Sequence, residues 1–181
     1  STIWRGARVR KGHTSTRTAF NAPNEEPLGI ISDKIDWKQQ YRMAGEKTEV
    51  RSGFEENVAL IWIHPAMTLE DWESITDGKK GVVVAGTGLG HVGKHLIEGV
   101  IETSEKIPVA MTSQCLAGGI NMNVYSNGRK LVKGNVIDTG DMLPETALVK
   151  MMWLLKHEKD NVREKMAKDM VGEMGGRRFL E

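Results

Sequence analysis

Three observations predict an α/β fold in which a parallel sheet is flanked by helices. Apolar runs at 58–63, 81–85 and 109–112 have the length and the valine and isoleucine content of buried strands. Segments of helical period separate them. The string GTGLGHVG, Gly86 to Gly93, stands where the second run gives way to a helix. Strand, helix, strand, helix, strand implies right-handed crossovers between parallel neighbours. A chain of 181 residues can hold one such domain together with part of another, and that is the expected organisation.

Taken in order, residues 2–11 alternate. Ile3, Ala7, Val9 and Lys11 share one face, and Arg8 and Arg10 lie on the other. This predicts a single strand whose arginines are solvated, with Lys11 on the more apolar side. A lysine there needs a partner, and a partly desolvated ammonium is a common catalytic device. The opening STIWRGARVRKGHTS reads as a strand entered midway, which predicts a fragment or a cleaved chain. Between 21 and 53, prolines, glycines and charges interrupt every period, leaving a linker with one short strand at 28–31.

The first strand of the sheet is NVALIWIHP, at 58–63, and a helix capped by Thr68 follows over 68–75. The second is 81–85. The helix after it carries Val92, Leu96, Ile97, Val100 and Ile101 on one stripe, and the third strand is 109–112. Residues 115–140 read as irregular. Asp141 and Pro144 then open a helix bearing Ala147, Leu148, Met151, Leu154 and Leu155, and a last helix is expected over 162–174.

Composition removes several classes of function. With 25 basic and 24 acidic residues, the net charge of +1 offers no general attraction for nucleic acid or anionic lipid. No apolar run approaches the roughly 18 to 20 residues of a membrane helix. The single cysteine, Cys115, cannot form an intramolecular disulfide, and a cytoplasmic location is expected. At the end of a strand Cys115 is either a nucleophile or, more commonly, a small buried apolar residue.

Gly88, Gly90 and Gly93 satisfy the G-x-G-x-x-G spacing of dinucleotide folds. However, the next strand ends in MTSQC and lacks the acidic residue that holds a ribose, and no G-K-[ST] follows the glycines. No nucleotide or other cofactor is therefore expected in this chain. The turn instead suits close approach of a ligand, such as a carboxylate, to the backbone near a helix start. His91, His95 and Glu98 superficially resemble a metal set. The H-E-x-x-H arrangement is absent, His95 and Glu98 read as solvated, and no metal is expected.

Five strings together, RVRKGHTSTRTAF, PLG, GTGLGHV, TSQCLAGGINMNVYSNGR and GDMLPETALVKMMWLL, resemble in order and spacing the asparaginase and glutaminase family that uses a threonine nucleophile. Within it, SQC, NMNVY and DMLPETALVKMMW are most similar to the D subunits of the archaeal glutamyl-tRNA(Gln) amidotransferases. The resemblance implies that residues 1–31 close an N-terminal asparaginase domain, 32–57 link, and 58–181 form the C-terminal domain. Lys11 falls on the lysine of the family's Thr-Lys-Asp triad, where it would relay a proton from the threonine hydroxyl.

The family's nucleophile motifs, T-G-G-T-I and H-G-T-D-T, do not occur in this sequence. The resemblance therefore implies a nucleophile supplied by an N-terminal segment, and a chain inactive by itself. Gly88, Gly90 and His91 match the turn that a neighbouring protomer of a homodimer presents to the substrate. His91 and Tyr125 stand where bacterial asparaginases carry Asn and Glu. The implied function is hydrolysis of glutamine to ammonia for amidation of Glu-tRNA(Gln) by a partner, the amidotransferase E subunit, which would also hold ATP and Mg²⁺. The alternatives are a free-standing asparaginase and a non-catalytic scaffold fragment.

Overall fold

The computed structural model describes residues 1–45, 47 and 49–175. In place of one strand at 2–11, the chain forms β1 (Thr2–Ile3) and β2 (Arg10–Lys11). A turn closed by the Arg8 N–H on the Arg5 carbonyl (3.0 Å) separates them and shifts the phase of the alternation. β2 pairs antiparallel with β3 (Phe20–Asn21), which sets Lys11 opposite Phe20. β1 pairs with β4 (Gly29–Ile31), the strand expected at 28–31, and β4 with β5 (Ile35–Trp37). β5 lies in the stretch read as linker. All three of its residues are exposed, so it has no buried face to leave a pattern in the sequence.

The main sheet is parallel, in the order β6 (Val58–Trp62), β7 (Gly81–Gly86), β8 (Val109–Ser113), β9 (Ile137–Asp138). Helices α1 (Leu69–Thr76), α2 (Ile97–Lys106) and α3 (Ser126–Lys133) connect successive strands. Because neighbours in sequence are neighbours in the sheet, right-handed crossovers place all three helices on one face. The two cores divide accordingly. Val82, Val84, Val109 and Met111 pack with Trp72, Leu96, Val100 and Leu131. Val83 and Ala110 point the other way, against Ala147, Met151 and Leu154 of α4 (Pro144–His157). Burial on both faces is why 81–85 reads as a continuous apolar run rather than an alternating one.

Thr68 caps α1 as expected. Its hydroxyl accepts from the Asp71 N–H (3.1 Å), while the Asp71 carboxylate accepts from the Thr68 N–H (2.8 Å). Those bonds to Thr68 hold the Asp71 carboxyl below its ordinary range. α2 is entered through a short 3₁₀ turn, Lys94–Leu96. His95, read as solvated, uses its Nε2 at 2.8 Å from the Met67 carbonyl oxygen.

Two expectations fail between β8 and the end of the described chain. The stretch read as irregular contains α3 and β9, both short and rich in polar residues, with only Gly128 and Leu131 of α3 buried. The last helix, α5, covers Val162–Met166 and not 162–174. The chain turns back instead, through Gly172 at φ +86°, to place Glu173 (2% exposed) against Lys150 of α4 at 2.5 Å. Burial alone would raise the Glu173 carboxyl. The Lys150 ammonium and the Val171 N–H (2.7 Å) outweigh it and bring the group down to about 2. Lys150 also donates to the Lys168 carbonyl, so the segment after α5 wraps the buried ammonium in place of continuing as a helix.

Candidate functional site

Ligands of open parallel sheets gather beyond the carboxyl ends of the strands. Here the ends of β6, β7 and β8 are tied together by Gln114, whose Nε2 donates to the carbonyls of Ile63 (2.6 Å) and Ala85 (2.8 Å). The glycine turn begins at the end of β7. It closes on itself: the Thr87 N–H donates to the His91 carbonyl (2.9 Å), and the N–H groups of Gly90 and His91 donate to the Thr87 carbonyl (3.1 and 3.0 Å). Those amides are used inside the turn and are not presented to a phosphate.

The turn admits only glycine at its tight point. Gly90 has φ +95°, and a Cβ there would lie 3.1 Å from Ile120 and Met111. Ser113 steadies the turn from the next strand, its hydroxyl donating to the Gly88 carbonyl at 2.6 Å and accepting from the Cys115 N–H at 3.1 Å. Cys115 is exposed, not a buried apolar residue, because the chain leaves the sheet immediately after Gln114.

His91 ends the turn beside Tyr125, with ring centroids 5.2 Å apart in an edge-to-face arrangement. Residues separated by an entire crossover are thus joined in one aromatic pair. Tyr125 precedes α3 and is 58% exposed. The Nε2 of His91 is buried without a hydrogen-bond partner among the described residues. Such an atom costs about 1–3 kcal/mol until something satisfies it.

Lys11 lies apart from this pair. No hydrogen bond, ion pair or ring contact links Lys11 to His91 or Tyr125 among the described residues. Contrary to the alternation, Lys11 is exposed and its neighbours are the buried or paired ones. Arg8 is 4% exposed and grips Asp141 with both terminal nitrogens, at 3.0 and 2.7 Å. It also donates to the Asn24 and Glu173 carbonyls (2.8 and 3.0 Å). Arg10 pairs with Glu145 (3.0 Å) and lies over the Trp62 ring at 5.8 Å. A bidentate carboxylate and two carbonyls offset the desolvation of a guanidinium, which is how the arginine face became the inner one.

These contacts are not legible in the sequence. Arg8 and Asp141 are separated by 133 positions, and nothing local marks either as the partner of the other. Asn24 adds a reciprocal bond, donating to the Gly118 carbonyl (3.0 Å) and accepting from the Gly118 N–H (2.7 Å). The β2–β3 hairpin is thereby fixed at the carboxyl end of the sheet. Between the two lies a cavity of about 360 Å³ lined by Arg10, His13, Thr16, Asn21 and Leu116. Among the described residues, no group of three or more His, Cys, Asp or Glu side chains could hold a metal.

A parallel sheet with helices on both faces ends in a glycine turn beside a docked hairpin, which defines an α/β domain. The chain belongs to the glutaminase/asparaginase C-terminal domain family, which matches residues 57–166. It is 45% identical over 178 residues to the D subunit of the glutamyl-tRNA(Gln) amidotransferase of Thermococcus kodakarensis, covering 94% of this chain and 40% of that protein. The corresponding protein of Saccharolobus islandicus is 38% identical over 192 residues, covering 99% and 42%.

Among solved structures, the thermostable L-asparaginase of Thermococcus kodakarensis superposes with a TM-score of 0.90 at 30% identity, over 97% of this chain and 56% of that one. L-asparaginase I of Vibrio cholerae gives 0.83 at 27% identity, over 96% and 55%. The chain therefore spans about two fifths of the length of the curated relatives it matches. No helix among the described residues is long and apolar enough to cross a membrane.

Proposed function

We propose that this chain is the C-terminal part of the glutamine-hydrolysing, ammonia-releasing component of a tRNA-dependent amidotransferase that converts Glu-tRNA(Gln) to Gln-tRNA(Gln). The observation that carries the reading is the identity of 38–45% to amidotransferase D subunits along nearly the whole chain, above the 27–30% to the asparaginases. Residues 1–31 close an N-terminal domain, 32–57 link and 58–181 form the C-terminal domain. The threonine nucleophile comes from the N-terminal segment of the longer protein, so the 181-residue chain alone releases no ammonia.

In the complete protein Lys11 takes the proton of the threonine hydroxyl, which cannot attack a carboxamide unaided. Gly88, Gly90, His91 and Tyr125 form the substrate-positioning wall, presented across a homodimer interface. The unsatisfied Nε2 of His91 beside Tyr125 supports that role. With no carboxylate at Tyr125, free amino acid binds weakly until the amidotransferase E subunit and Glu-tRNA(Gln) order the site. This chain carries no cofactor. ATP and Mg²⁺ belong to that partner, which also makes most of the tRNA contacts, and the complex works in the cytoplasm.

The test is ammonia release by the full-length protein with and without the E subunit and glutamylated tRNA. Stimulation by both supports the amidotransferase reading. Equal and rapid asparagine hydrolysis without either would favour the second reading, a free-standing asparaginase, to which the structural likeness also points. His91→Ala is expected to raise the Michaelis constant for glutamine more than it lowers turnover, because a positioning contact is lost and the nucleophile is kept. Mixing His91→Ala protomers with protomers lacking the threonine should restore activity. No recovery after verified exchange of protomers would confine His91 to its own protomer.

A further inference from the structure

The segment that runs from the end of β8 toward Tyr125 grips the glycine turn at three carbonyls. The Gln114 N–H donates to Gly86 (2.9 Å), the Ser113 hydroxyl to Gly88 (2.6 Å) and the Asn121 N–H to Leu89 (3.0 Å). One segment thereby places both members of the His91–Tyr125 pair. Two of the grips are main-chain bonds, which do not depend on the identity of the side chain. The third hangs on a single hydroxyl.

Gly88 is the point at which that hydroxyl matters. Its φ of +51° lies in the left-handed region, and a Cβ added there would meet nothing within 4 Å. Open space lies against its α-carbon, while its carbonyl is tied back to a buried Ser113. The Ser113 oxygen also accepts from the Cys115 N–H (3.1 Å), which orients the hydroxyl so that its one proton goes to Gly88. Thr112, one residue earlier, makes a bond of the same kind to the Val84 carbonyl (2.8 Å). That bond lies inside the sheet, where the β7–β8 ladder already fixes both strands.

We infer that Ser113 is a positioning residue for the substrate wall, its hydroxyl fixing where the turn presents Gly88 and His91 to the amino acid. The inference rests on the proposed role of that turn. Ser113 acts through the turn and leaves the nucleophile untouched, so its loss falls on the Michaelis constant and spares turnover.

The experiment measures glutamine hydrolysis by the full-length protein carrying Ser113→Ala, Ser113→Cys, Thr112→Val, His91→Ala or Ser113→Ala with His91→Ala, and thermal melting of each. Ala deletes the hydroxyl, and Cys keeps a side chain there with only a weak donor and acceptor, so that if one perturbs folding the other still reports. Both are expected to raise the Michaelis constant about two- to tenfold, the loss of one net hydrogen bond, with turnover within about twofold. Thr112→Val is expected to melt earlier and keep the Michaelis constant of the wild type. In the His91→Ala background, Ser113→Ala should add less than about twofold, because the two residues act through one turn. If Ser113→Ala and Ser113→Cys keep the wild-type Michaelis constant, or if Thr112→Val raises it as far as Ser113→Ala does, Ser113 serves only the fold. Full additivity with His91→Ala would likewise detach Ser113 from the wall. If His91→Ala itself leaves the Michaelis constant unchanged, the proposed role of the turn fails first and this inference with it.

Discussion

The sheet region and the N-terminal region hold together by different means. β6 to β9 and their helices bury a two-sided apolar core in which Val82, Val83, Val84, Ala110 and Met111 are fully shielded. The segment from β1 to β5 has strands of two or three residues, and Ile30, Ile31, Ile35 and Trp37 remain exposed. It is tied down instead by Arg8 to Asp141, Arg5 to Glu25 (3.0 Å), Asn24 to Gly118 and the Thr146 hydroxyl on the Ala7 carbonyl (2.9 Å). Apolar burial is non-directional and tolerates small shifts, whereas a bidentate ion pair fixes position and angle. The region that carries Lys11 is thus the one held by directional bonds.

The largest effect should come from that region in the complete protein, where Lys11→Met is expected to lower turnover by about two to four orders of magnitude, the range for a lost proton-transfer group. Folding should survive, because Lys11 is exposed. Near-normal turnover in a kinetic assay would reduce the hairpin to a structural ornament of the sheet.

Breaking one clasp of each kind sharpens the contrast. Arg8→Met leaves Asp141 without its cation and should cost about 3–5 kcal/mol, read by chemical denaturation. Leu154→Ala in the sheet core should cost about 2–5 kcal/mol. The two should differ in where they act. Hydrogen exchange is expected to rise over 1–31 in the first and throughout β6 to β9 in the second. A uniform rise in both would mean that the two regions unfold as one cooperative unit.

The smallest effect concerns the pH dependence of the buried pair on α4. Glu173 has its carboxyl lowered from 4.5 to about 2 in the folded chain. A depressed carboxyl stabilises the fold fully above its unfolded value and loses that contribution as pH falls through the folded one. Between about pH 4.5 and 2 the unfolded state binds the extra proton, and stability should decline by roughly 2–3 kcal/mol. Glu173→Gln should flatten the curve in that window. An unchanged acid limb, followed by denaturant titration at several pH values, would show that Lys150 and Glu173 are not coupled to folding.

What can be read from sequence follows the same division. The strands at 58–63, 81–85 and 109–112, the Thr68 cap and the helix at Pro144 are all visible there. Their signals are periodicity and caps, which act within a few residues. β9 and α3 escape notice because short polar elements carry almost no such signal, and α5 stops short of its helical pattern because its end is set by Lys150, an ion pair away.

For the candidate site, the sequence by itself determined which residues are available: the glycine turn around Gly90, His91 at its end, and Lys11 beside two arginines. Glycine spacing and residue order are properties of the string. Only the tertiary structure decided that His91 meets Tyr125, that Arg8 and not Lys11 is buried, and that Lys11 faces Phe20. Each of those outcomes depends on a turn at 5–8 that reverses the alternation, or on a partner brought from a distant part of the chain. Local pattern fixes what a segment can bury, and the choice of what it does bury is made by long-range electrostatics and packing.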